Sequence, residues 1–335
     1  MAGNKTVSLV LGSGGARGYA HIGAIQALTS RGYEIVAVSG SSMGALVGGL
    51  YAAGQLDAYT DWATSLTQRD VMRLLDPVIN GPGVLRLERV LARMTEYLDG
   101  IRIEDLPIPY TAVASDLGAR REVWFTSGPL EVAIRASIAI PAMITPIMVN
   151  GRLLVDGGVL NPVPMEPVIG VPADFTLAVN LSGEKNNRFA NSPAKESAEH
   201  QPTGEWMERF RRTAAGVWES ELVASIMARF SRPDEPPPAY EAPPPGLGIT
   251  DITWMSLDAM ESLITRYRLA ALPPDVLVTV PGDSLKTMDF HRASEQIELG
   301  RTLTEAALDE AFGDRETDDV ADDGETARTS DPAAR

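Results

Sequence analysis

The sequence predicts an α/β fold, a largely parallel sheet with helices on both faces. Three observations carry that expectation. Two apolar β-type runs, residues 6–11 (TVSLVL) and 35–38 (IVAV), each lead into a glycine-rich turn and then a helical pattern. A further run at 175–181 (FTLAVNL) is too apolar to be half-exposed. Between them, Asn150-Gly151 separates two β-type runs at 144–149 and 153–155, a strong two-residue hairpin signal.

In chain order, the first strand meets Gly12-Ser13-Gly14-Gly15-Ala16-Arg17-Gly18, and a helix over residues 19–31 follows with Ile22, Ile25, Ala27 and Leu28 on its apolar face. The second strand ends in Gly40-Ser41-Ser42-Met43-Gly44, a G-x-S-x-G turn between strand and helix. Gly40 and Gly44 leave room for a sharp turn that lifts the Ser42 hydroxyl clear of the sheet. Residues 35–56 are uncharged and long enough for a membrane span, yet five glycines and a central serine pair fit a buried strand–turn–helix better.

Residues 57–98 read as helical, broken at Asp76-Pro77 and at Asn80-Gly81-Pro82-Gly83. Leu87, Val90, Leu91, Met94 and Leu98 form a stripe beside Arg86, Arg89 and Arg93; an ordinary surface helix is the favoured reading, a lid or membrane-facing helix the other. A strand pair at 110–115 and 122–126, a helix at 129–139 ended by Pro141, and the hairpin then deliver Asp156-Gly157-Gly158. Beyond the strand at 175–181 come a polar stretch (183–204), a helix (205–230) and a Pro-rich connector (233–245). A helix at 257–269, a strand at 276–280 and a last helix at 291–312 follow. The expected organisation is a core over 1–182, completed by 183–312, and an acidic, disordered tail over 313–335.

The 335 residues carry a net charge of −16, which argues against nucleic acid and against broad electrostatic adhesion to anionic lipid. The tail from Asp314 to Arg335 holds −5 of that charge. There is no cysteine, hence no disulfide or thiolate nucleophile, and having only three histidines (His21, His200, His291) argues against a multi-histidine metal centre. Neither a metal nor a cofactor is expected. No targeting or spanning segment is visible, so the expected location is the cytoplasm, with any membrane contact peripheral, apolar and at the inner face.

A serine nucleophile needs a proton acceptor and donors for the oxyanion. The loop over residues 12–18 offers backbone N–H groups that a substrate can approach closely. Dinucleotide binding fits it poorly, because Arg17 occupies the third glycine position of G-x-G-x-x-G and no carboxylate closes the second strand. Asp156 is the better proton acceptor, provided that burial raises its pKa. The competing arrangement is a triad of Ser42, Asp156 and His291 on an α/β-hydrolase plan. His21 is expected to pack or cap locally and His200 to be solvated. A non-catalytic lipid-binding or regulatory protein is the alternative from a different class.

The three blocks, Gly12–Gly18, Gly40–Gly44 and Asp156–Gly158, together resemble the patatin-like phospholipase family, particularly its bacterial members related to neuropathy target esterase. Ser137-Ile138-Ala139-Ile140-Pro141 and Phe290-His291-Arg292-Ala293 resemble further family segments. The resemblance implies a three-layer α/β/α fold with a helical C-terminal extension. It also implies a Ser42–Asp156 dyad without histidine, an oxyanion hole at Gly14 and Gly15 with Arg17 supporting that loop, and acyl esters of phospholipids or lysophospholipids as substrate. Ser13 departs from the pattern, standing where many members have another glycine.

Overall fold

The computed structural model of the chain describes residues 5–74, 83–85, 88–185 and 247–313. The expectations for 186–246 and for the tail after Gly313 lie outside the described residues. By contacts the chain forms two compact units, Met1–Asn186 with Trp254–Arg335, and Asn187–Thr253. Of the second, only 247–253 are described; Gly248 donates its N–H to Asp251 there, opening a helix.

The first unit opens as the sequence predicts: β1 (Thr6–Leu11), a 3-10 turn (Gly15–Tyr19), α1 (Ala20–Ser30), β2 (Glu34–Ser41) and α2 (Met43–Ala52). The uncharged stretch that mimics a membrane span is thus β2, the turn at Ser42 and α2. Among the described residues, no helix is long and apolar enough to cross a membrane. Next come α3 (Leu56–Ser65), α4 (Gln68–Leu74), β3 (Gly83–Leu85) and α5 (Glu88–Leu98). These are followed by β4 (Tyr110–Asp116), β5 (Arg121–Phe125), α6 (Leu130–Ser137), β6 (Ala142–Ile144), β7 (Ile147–Val149), β8 (Arg152–Asp156) and β9 (Phe175–Asn180). The chain closes with α7 (Ile249–Ala271), β10 (Val276–Thr279) and α8 (Ala293–Phe312).

The main sheet runs β10-β9-β1-β2-β4-β8-β7, with β5 along β4. Its β10-to-β4 part is parallel, and β5, β7 and β8 pair antiparallel. Side chains alternate across β1, so Val7, Leu9 and Leu11 enter one core and Val10 the other. The first core is large and is covered by α1, α2, α3, α5, α6 and α8. The opposite face is thinner, with Val163, Met165 and Val168 over Val10, Ala37 and Ala178 and the α7 end supplying Leu269 and Leu272.

Several boundaries differ from the sequence reading. The run at 144–149 is two strands, because Thr145-Pro146 interrupts it and Pro cannot donate to a ladder; Ile144 ends β6, which pairs with β3 in a separate two-stranded sheet. The short β3 lies within a stretch read as helical. α7 starts eight residues earlier than expected, and α8 starts at Ala293, after a 3-10 turn at Phe290–Arg292. The hairpin is as read, with Asn150 and Gly151 both at positive φ (49° and 75°), the requirement of a type I′ turn.

β4 sets up the site. It carries β5 along one edge, which leaves β2 and β8 to share the other edge end to end. β2 runs parallel to β4 and its Ser41 pairs with Val113; β8 runs antiparallel and its Asp156 pairs with Ala114. The C-terminal ends of the two strands therefore abut at adjacent β4 residues. That register is why Ser42 and Asp156, far apart in sequence, face one another.

Candidate active site

Ser42 sits between β2 and α2 at φ 56°, ψ −125°. That conformation is strained for a residue with a Cβ, and such strain persists only where the surroundings enforce it. They do so here through close packing. A Cβ on Gly44 would lie 2.0 Å from the Leu11 carbonyl oxygen, and one on Gly40 would lie 2.4 Å from the Gly44 carbonyl carbon. Buried hydroxyls fasten the turn from behind: Ser39 donates to the Pro164 carbonyl and Ser41 to that of Asn161, each at 2.6 Å. The Ser42 N–H donates to Ser137 Oγ (2.9 Å), and the Ser137 hydroxyl donates in turn to the Val113 carbonyl (2.6 Å).

The Ser42 hydroxyl donates to Asp156 Oδ2 at 2.5 Å. The other oxygen, Oδ1, accepts from the Gly158 N–H at 2.7 Å. Asp156 is 4% exposed. Burial raises its pKa to about 7; the bonds from Ser42 and Gly158 oppose that rise and the nearby Glu261 carboxylate adds to it. Gly157 lets the turn close against β4, where a Cβ would lie 2.1 Å from the Val113 oxygen.

In the glycine loop the N–H groups of Gly12, Ser13 and Ala16 are held by the carbonyls of Val179, Pro162 and Thr287. Those of Gly14 and Gly15 have no protein acceptor among the described residues. Gly15 is at φ 57°. Arg17 is buried and directs its guanidinium to the carbonyls of Gly14 (3.3 Å) and Gly282 (2.5 Å), so it braces the loop from behind and spends donors on backbone there.

Gly15, Tyr19, Ser42 and Met43 line a pocket. The rest of its wall is apolar, with Trp62, Leu66, Val71 and Leu74 from the region of α3 and α4 and Val90 from α5. Tyr19 and Tyr59 keep their hydroxyls neutral there, burial pushing Tyr19 up to about 12 and Tyr59 well above the usual tyrosine value. The α5 stripe therefore divides: Met94 and Leu98 are buried core, as in an ordinary helix, while Val90 faces the pocket. The side chains of Leu87 and Leu91 lie outside the described residues.

No histidine bonds Ser42 or Asp156 among the described residues. His21 is fully buried in α1 with Nε2 2.7 Å from the Gly12 carbonyl oxygen, and burial pulls its pKa down to about 4. It is thus a neutral tie from α1 to the glycine loop. His291 lies in the turn before α8, next to Glu295; His200 is outside the described residues. His21 packs and ties locally, as expected; Ser137 and Glu261 are the supports that local pattern missed. Ser137 stands in a block already conspicuous as a helix end before a proline, whereas nothing in the sequence marks Glu261.

Residues 9–169 match the family model described as patatin-like phospholipase. An NTE family protein of Mycobacterium tuberculosis is 45% identical over 96% of this chain and 95% of its own length. The chain belongs to the patatin-like phospholipase family, and within it to the NTE family. A patatin-like phospholipase domain-containing protein of Homo sapiens is 32% identical over 55% of this chain and 14% of its own. A lysophospholipase of Mycosarcoma maydis is 32% identical over 52% and 10%. The sequence resemblance is borne out, and the mixed α/β architecture with its mostly parallel sheet and C-terminal helix fits the family.

Proposed function

We propose that the protein is a serine acyl hydrolase that cleaves fatty-acyl esters of phospholipids or lysophospholipids through a Ser42–Asp156 dyad. The observation that carries this reading is the 2.5 Å bond from Ser42 Oγ to a buried carboxylate at the wall of an apolar pocket. Membership in a phospholipase family and similarity to a protein named lysophospholipase support the lipid class of substrate.

Ser42 Oγ attacks the ester carbonyl carbon while its proton passes to Asp156 Oδ2. The carbonyl oxygen becomes an oxyanion held by the N–H groups of Gly14 and Gly15. As the intermediate collapses, the alcohol leaves with the proton from Asp156, and the acyl group stays on Ser42. Asp156 then takes a proton from water, whose oxygen attacks the acyl-enzyme carbonyl; as that intermediate collapses, Asp156 returns the proton to Ser42 Oγ and the fatty acid departs. A carboxyl near pKa 7 is matched to both halves, since it is a stronger base than an ordinary aspartate and still returns the proton. The acyl chain lies in the pocket, whose lining is almost wholly apolar. Access to such lipids is by peripheral, apolar contact with a membrane surface.

The test is labelling with a fluorophosphonate. Intact-mass analysis is expected to show one adduct on Ser42, none on Ser42→Ala, and parallel loss of p-nitrophenyl ester hydrolysis. A folded protein that neither labels nor hydrolyses would favour a lipid-binding or regulatory role.

A further inference from the structure

The Ser13 position, unusual in the sequence, has an unexpected partner. Its hydroxyl donates to Glu261 Oε1 of α7 at 2.6 Å, a contact between residues 248 apart in sequence. The Ser13 N–H is fixed to the Pro162 carbonyl at 2.8 Å, directly before the Gly14 and Gly15 amides. The same hydroxyl lies over the Asp156 turn. A Cβ on Gly158 would come within 2.4 Å of Ser13 Oγ and 3.1 Å of Asp156 Oδ1, and Gly158 donates to that Oδ1.

α7 has other means of holding to the core. Arg268 bonds Glu166 at 2.5 Å and also Glu122, and Lys185 bonds Asp258 at 2.5 Å. A carboxylate that is partly buried is costly for docking alone, where an apolar side chain would serve better. Glu261 is instead aimed at Ser13, which belongs to the glycine loop and packs on the turn orienting Asp156.

We propose that Glu261 is a positioning residue: through its hydrogen bond to Ser13 it clamps the glycine loop against the Asp156 turn and so holds the Gly14 and Gly15 amides in place for the oxyanion. This rests on the hydrolase reading above. It makes the docking of α7 a condition for turnover, with substrate binding in the pocket little affected.

The experiment compares Ser13→Ala, Glu261→Ala, their double variant and Glu261→Gln, whose amide oxygen still accepts from Ser13. Each alanine variant is expected to lower kcat about tenfold with KM nearly unchanged, the loss of one strong hydrogen bond. The double variant should be no worse than either single one, because the two side chains act as one unit. Glu261→Gln should restore kcat to within about twofold, a rescue that a merely structural charge at this position would not give. Amide exchange over residues 12–18 is measured in the same four proteins, and protection should fall in the alanine variants and hold in Glu261→Gln. Multiplying losses in the double variant, or exchange unchanged in all four, would overturn the clamp. If the wild-type protein shows no hydrolysis, the hydrolase reading fails by itself and the exchange data alone decide the clamp.

Discussion

Two glycine-rich turns, each between a parallel strand and a helix, use their glycines for opposite purposes. In the loop after β1, the positive φ falls on a glycine, Gly15, and two neighbouring N–H groups have no protein acceptor among the described residues. In the turn after β2, the glycines give up their side chains to let backbones touch, so the positive φ falls on Ser42, which has a Cβ. The first turn keeps its conformation cheaply and offers donors. The second concentrates strain on the residue that carries the hydroxyl. The proposed mechanism needs both, one turn to receive charge and one to aim the nucleophile.

The contrast is sharpest at Ser42 itself. Ser42→Ala should lower esterase activity roughly 10⁶-fold, as loss of a nucleophile does. Ser42→Gly should be as inactive and yet more stable, by about 1–3 kcal/mol in urea unfolding, because glycine accepts the φ that serine resists. Equal stability of Ser42→Gly and wild type would mean that the turn stores no strain.

Next in size is Asp156→Asn, expected to slow acylation of Ser42 by roughly 10²–10⁴-fold, the range of a positioned base. Its stability should depend on pH in a defined direction. Asp156 holds its proton up to about pH 7 when folded, against about 3.9 in an unfolded chain. The folded state thus binds more protons between those values, and the wild type loses stability as pH rises through the window. Asp156→Asn removes that loss, so its Tm should exceed the wild-type Tm at pH 8 and the difference should shrink at pH 5. His21 acts in the opposite sense. Its folded pKa of about 4 lies below the usual 6.5, so its contribution is lost on acidification from about pH 6.5 towards 4.

Gly15→Ala probes the other turn. Its Cβ would meet Thr287 Cγ2 at 2.6 Å at a φ unfavourable to alanine, so the loop must shift. The chain should still fold, with kcat reduced about 10–100-fold as the oxyanion donors move. The smallest effect is expected for His291→Gln, within about twofold of wild type in kcat/KM, since His291 makes no bond to Ser42 or Asp156.

Local chemistry accounts for what was legible in the sequence. β1, the glycine loop, β2 and the Ser42 turn follow from apolar runs broken by glycine, and Asp156 from a hairpin that ends in two glycines. The short β3 was not legible, because its pairing with β6 overrode the local helical pattern, and the split at Thr145-Pro146 and the early start of α7 are boundaries that the apolar runs alone do not mark. The supports of the site were also hidden. Ser137 receives the Ser42 amide from 95 residues away, and Glu261 reaches Ser13 from 248. Such contacts depend on which strand ends abut, and that is fixed by register on β4.

The most direct test of the central claim is the pH dependence of fluorophosphonate acylation at Ser42, measured in wild type and His291→Gln side by side. With Asp156 as the base, both proteins should lose rate about tenfold per pH unit below about pH 7, along superimposable limbs. A His291→Gln protein as inactive as Ser42→Ala, or a wild-type rate that is flat between pH 5 and 8, would contradict the dyad.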